Sequence, residues 1–123
     1  MFSFEELDAW KTGREFKIKA KKVACSFPKS EEYRLKDQIF RSARSITANI
    51  AEGFGRFHHQ ENIQFCRQSR GSLTETLDHL IEAFDCNYIS EEELNNLRKE
   101  YDRCLHVING YIAYLKRAKE NKN

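Results

Sequence analysis

The residues best suited to chemistry are cations, and they crowd the first 70 positions. Lys11, Arg14, Lys17, Lys19, Lys21 and Lys22 fall in one segment against a single acid, Glu15. Arg34, Arg41 and Arg44 follow with Gln38 between them, and Arg56, Arg67 and Arg70 continue the series. Clustered cations suit a nucleic-acid backbone, because neutralising phosphates releases the counterions condensed on it. The guanidinium fork grips phosphate with two hydrogen bonds, but it suits carboxylates such as Glu52 and Glu75 equally well. Two readings therefore stand for Lys11, Arg14, Lys17, Lys21, Arg34, Arg41, Arg44, Arg56, Arg67 and Arg70. They form a phosphate-binding surface, or they are a solvated face whose arginines make structural and intersubunit ion pairs.

No zinc-finger spacing, RNP aromatic motif or GXXG clamp accompanies these cations, so any nucleic-acid binding rests on backbone and shape. Other polar positions offer less. Asn49, Glu52 and Glu75 stand near apolar neighbours, where polar groups are costly unless partnered. No nucleophile–base set and no metal cluster converges on them by spacing, which argues against an enzyme. They are expected to tie the turn after the second helix to the third helix through buried hydrogen bonds. Cys25, Cys66, Cys86 and Cys104 contain no C-x-x-C pair and read as buried free thiols in a reducing compartment. Cys104 and His106 are two residues apart, a poor chelate on a helix. His79 and His106 read as core-edge residues, whereas His58-His59 sits in a turn and gains charge below about pH 6.5. No metal and no cofactor is expected.

The elements that must position these groups are helical. A length of 123 residues, 40% hydrophobic, fits one domain over 1–123 with a single core. One Pro and five Gly are too few punctuators for an all-β chain. Four helical patterns are legible. The first runs from about Phe4 to Cys25, with Ala9, Gly13, Phe16, Ala20, Val23 and Phe27 on one face, and stops before Pro28. The second starts with Ser30 as N-cap, carries Leu35, Ile39, Ala43, Ile46 and Ile50 inward, and ends where Gly53 and Gly55 adopt left-handed backbone. The third covers His59 to Cys86, and close helix contact is expected to offset the weak propensity of Gly71. The fourth opens on Ser90-Glu91-Glu92-Glu93, a capping box, and its apolar stripe reaches Leu115. Short connections make this an all-α chain, an up-down-up-down antiparallel four-helix bundle.

Charge is uneven along the chain. Residues 1–70 hold 14 Lys and Arg against 9 Asp and Glu, or +5, whereas residues 71–123 hold 7 against 10, or −3. Such asymmetry suits an acidic partner, or the basic half of one subunit meeting the acidic half of another. A second apolar wing lies outside the inward stripes: Leu7, Trp10 and Ile18 on the first helix, and Val107, Tyr111 and Tyr114 on the fourth. It reads as a wide core stripe or as a subunit interface, where aromatics are enriched. No apolar run approaches the ~20 residues that span a bilayer. The N-terminus lacks the basic head and apolar stretch of a secretory signal, so a cytoplasmic location and no membrane contact are expected.

Several motifs occur together in order. They are Leu7-Asp8-Ala9-Trp10-Lys11, Phe27-Pro28 followed by Glu31-Glu32-Tyr33-Arg34-Leu35, Gln38-Ile39-Phe40-Arg41-Ser42-Ala43, Ser45 to Arg56, and Gly71-Ser72-Leu73-Thr74-Glu75. In this the chain resembles the four-helix-bundle proteins encoded in intervening sequences of bacterial 23S rRNA genes, a family related to the accessory proteins of diversity-generating retroelements. Thr47 stands where the family usually has proline, which implies a straighter second helix. Gly13 replaces a common alanine, and His58-His59 replaces a turn that usually bears serine or threonine. The resemblance implies a left-handed bundle in a ring-like homo-oligomer, a pentamer first, that binds structured RNA or DNA, with a protein partner and no enzymatic activity. The rival is a scaffold whose charged faces serve self-assembly alone.

Overall fold

The computed structural model describes residues 2–121. Four helices carry the chain: α1 (Asp8–Ala24), α2 (Leu35–Gly55), α3 (His59–Asp85) and α4 (Glu91–Asn121). They form an antiparallel bundle in which α1 packs on α2 and α4, and α3 packs on the same two helices from across the core. Single 3₁₀ turns at Phe4–Glu6 and Lys29–Glu31 precede α1 and α2.

Apolar residues at helical spacing decide which faces turn inward. Phe16, Ile39, Ile46, Ile50, Leu73, Leu80 and Ile108 are the largest fully buried apolar side chains. Each contributes about 1.5–3 kcal/mol by leaving water. At Gly13 a methyl would lie 3.1 Å from Ile46 Cγ2, so this glycine permits the close approach of α1 to α2. The α2–α3 contact is more polar. Ser69 donates a 2.6 Å hydrogen bond to the Ile46 carbonyl, and Thr76 donates to Ser42 at 2.7 Å. Ser72 donates to Ser45 at 2.9 Å. Short hydroxyls satisfy one another across this seam and let the helices lie close.

The helix ends depart from expectation in instructive ways. Ser30 lies inside the 3₁₀ turn and does not cap α2. Glu31 does so instead: one carboxylate oxygen accepts from the Leu35 N–H at 3.3 Å, and the other accepts from the Tyr88 hydroxyl at 2.6 Å. Gly53 and Gly55 are helical, and the left-handed residue of the α2–α3 turn is Phe57, at φ 58°. Gly53 serves packing, since a methyl there would sit 2.7 Å from Asn62 Oδ1 and 2.9 Å from Phe65 Cβ. Gly71 meets no such neighbour within 4 Å, so close contact does not explain it. α2 runs unbroken through Thr47. Before α4, Ser90 and Glu93 exchange both bonds of the capping box at 3.0 Å.

Candidate nucleic-acid interface

α1 and α2 bring their cations together along one outer seam. Trp10, Arg14, Lys17 and Lys21 lie at three- and four-residue steps on α1, facing Lys36, Phe40, Arg44 and Thr47 on α2. The Phe40 ring collects three of these heads: Lys21 Nζ at 5.0 Å from its centroid, the Arg44 guanidinium at 5.4 Å and Lys36 Nζ at 5.7 Å. Arg14 lies over Trp10 at 5.8 Å, and Phe4 meets that indole edge-on at 5.3 Å. Lys17 donates to the Thr47 hydroxyl at 3.1 Å. Its ammonium is held below the usual lysine range, first by partial burial and then by repulsion from Lys21, Arg14 and Arg44. Among the described residues, Arg14, Lys17, Lys21 and Arg44 make no ion pair with a carboxylate, whereas Lys36 at the end of the seam pairs with Glu32 at 3.0 Å. Rings and a hydroxyl fix the other heads without cancelling their charge.

The remaining predicted cations do not join this seam as one patch. Lys11 is exposed on its outer shoulder, a turn before Arg14. Arg41 pairs with Asp37 at 2.8 Å, and Arg56 pairs with Glu52 at 3.0 Å and Glu61 at 3.5 Å. Arg34 borders a groove with Asp78, His79 and Glu82 between α2 and α3. Arg67 and Arg70 lie on the α3–α4 side, where Arg70 donates to Asn109 at 2.7 Å. Sequence proximity suggested continuity, but α3 turns them to the opposite side of the bundle.

The expected polar ties also fall elsewhere. Asn49 donates to the carbonyl and hydroxyl of Ser45 within its own helix, both at 2.8 Å. Glu52 and Glu75 are exposed and meet only neighbours on their own helices, Arg56 and His79. The α2–α3 ties are the Ser42, Ser45, Ser69, Ser72 and Thr76 hydroxyls, which sequence reading missed. Their signal was a run of short hydroxylated residues at helical spacing on both helices.

Two of the four cysteines depart from the expected burial. Cys66 and Cys104 are buried, and burial pushes their thiols up to about 12 and about 11. Cys25 and Cys86 are exposed at the C-terminal ends of α1 and α3, where no facing helix covers them. The Cys86 thiol is also pushed up, chiefly by its hydrogen bond to the Glu82 carboxylate. Among the described residues, no three His, Cys, Asp or Glu side chains are placed to hold a metal ion, and no helix is long and apolar enough to cross a membrane.

At one end of the bundle a cleft of about 640 Å³ opens between the start of α1, the α2–α3 turn and the C-terminal half of α4. Leu7, Val107, Tyr111 and Tyr114 all line it, so four of the six wing residues converge. Trp10 belongs instead to the cationic seam, and Ile18 stands alone, half exposed. Phe57 projects at the cleft with 80% of its surface exposed, and Tyr114 with 56%. The Tyr111 and Tyr114 rings stack, 6.3 Å apart and 11° from parallel, and Tyr111 OH accepts from Asn62 at 3.1 Å.

Comparison with known proteins agrees with this architecture. A crystal structure of a protein with unknown function from the S23 ribosomal protein family of Bacteroides thetaiotaomicron superposes with a TM-score of 0.77. It is 19% identical, and the alignment covers 85% of this chain and 95% of that one, which establishes a shared fold. No curated protein matches the chain. Residues 5–110 match the family described as 23S rRNA-intervening sequence protein. With the four helices and the ordered motifs in place, this chain belongs to that 23S rRNA-intervening sequence protein family.

Proposed function

We propose that the protein is a non-catalytic RNA-binding bundle whose α1–α2 seam contacts the phosphate backbone. The observation that carries this reading is the way its cations are held. Arg14, Lys17, Lys21 and Arg44 are fixed by Trp10, Thr47 and Phe40, all neutral groups. Four positive heads left uncompensated along one seam raise its electrostatic potential and favour a polyanion. The family's link to 23S rRNA genes supports RNA over other polyanions.

Titration of the full chain against labelled structured RNA at several salt concentrations tests this reading. Binding should weaken steeply with salt. Lys21→Glu with Arg44→Glu should lower affinity at least about tenfold and reduce the salt slope by about two, one for each lost phosphate contact. An unchanged slope in a variant that keeps its helical spectrum would sink the proposal.

A second surface belongs to the same reading. The cleft bearing Phe57 and Tyr114 displays aromatic area that a subunit contact would cover. The protein is proposed to assemble through it as a homo-oligomer, with the pentameric ring implied by the family resemblance as the first arrangement to test.

A further inference from the structure

The α3–α4 side repeats the arrangement of the α1–α2 seam with different anchors. Arg70 donates to Asn109 Oδ1 at 2.7 Å, and Lys119 donates to Gln60 Oε1 at 2.5 Å. Amide oxygens hold both cations in place and leave their charge intact. Arg67 and Lys116 line a groove between α3 and α4 together with Lys119 and Gln60, and neither Arg67 nor Lys116 makes an ion pair among the described residues. Glu120 is the one carboxylate lining that groove.

Several cations elsewhere on the bundle pair with acids instead. Between α1 and α4, Lys19 meets Glu100 at 2.6 Å and Arg103 meets Glu15 at 3.0 Å. On the outside of α2 and at its end, Arg41 and Arg56 are paired in the same way. Among the described residues, the cations that a neutral group holds and no acid pairs lie on these two seams, and the packing order of the helices puts the seams on opposite faces. Two helix diameters separate such faces by about 20 Å, so one short duplex cannot lie against both.

We infer that the α3–α4 seam, through Arg67, Arg70, Lys116 and Lys119, is a second RNA-backbone site, and that one chain holds two RNA segments on opposite faces. The inference rests on the proposed RNA binding at the α1–α2 seam and extends it to a bridging role. A bivalent chain links two segments of a folded RNA and gains avidity when both are within reach.

Stoichiometry tests this whether or not the chain assembles. The full chain is saturated at low salt with an RNA duplex of about 12 base pairs, short enough to occupy one face. Two duplexes should bind per chain. Arg67→Glu with Lys116→Glu should leave one, Lys21→Glu with Arg44→Glu should also leave one, and all four changes together should leave none. One duplex per chain, unaffected by the Arg67 and Lys116 changes, overturns the second site and leaves the first standing. No binding to the unmodified chain overturns both.

Discussion

Gly53 and Gly71 are the same residue in helical backbone, yet a methyl group at each meets different surroundings. At Gly53 it would press on Asn62 and on Phe65 of α3, and overpacking of this kind costs about 1–3 kcal/mol. At Gly71 it would meet open space, and alanine is favoured over glycine in a helix by up to about 1 kcal/mol. Gly53→Ala should therefore lower the urea midpoint, and Gly71→Ala should raise it. Shifts of the same sign would show that these packing distances do not control stability. The two glycines look alike in the sequence, because the distinction lies in what the facing helix brings to each.

Among the elements, the Glu31–Tyr88 bond joins the start of α2 to the loop before α4. The Tyr88 hydroxyl, helped by the Leu35 N–H, holds the Glu31 carboxyl below the usual carboxylate value of 4.5. Tyr88 is correspondingly pushed up to about 12, chiefly by the same bond. A carboxyl whose pKa is lower in the folded chain stabilises it above the unfolded value, and that contribution is lost as pH falls through the folded value. Glu31→Gln should therefore be less stable than the native chain at pH 7. The gap should close as acid brings the native carboxyl into its own neutral form below pH 4.5. A gap that stays constant from neutral to acid pH, measured by chemical unfolding, would rule the clasp out as a source of acid sensitivity. The hydroxyl seam between α2 and α3 is the other element-level device. It was hard to read because Ser and Thr inside a helix look like weak helix formers, and their value appears only when two helices align them.

On the scale of the whole molecule, the conspicuous cost is Phe57. Left-handed backbone at a residue with a bulky side chain costs about 1–2 kcal/mol, and here it leaves an aromatic ring exposed at the cleft. The proposed assembly through that cleft would offset such a cost by burying the ring. Phe57→Asn should then stabilise the separated chain, since asparagine tolerates left-handed backbone, while weakening self-association. Tyr114→Glu should likewise reduce the native mass with helix content retained. Light scattering reads both, and an unchanged mass in the two variants would exclude the cleft as the contact. Charge acts at the same scale: the +5 and −3 halves describe sequence order, whereas folding distributes cations from both halves over two seams.

The helical periods of the apolar residues, the Ser90 capping box and the scarcity of Pro and Gly determined the four helices and the bundle without coordinates, because these signals are local. The inward stripe of α2, from Leu35 to Ile50, is buried throughout as its spacing required. Tertiary structure alone decided which cations find a partner on another helix. Lys21 of α1 meets the Phe40 ring of α2 and Arg70 of α3 meets Asn109 of α4, contacts that no spacing in the sequence marks, whereas Asp37–Arg41 and Glu52–Arg56 stand at the four-residue step of a helical ion pair. A charged side chain is long and flexible, so its partner depends on rotamer and on the facing helix. Residue type and spacing leave both open until the helices pack.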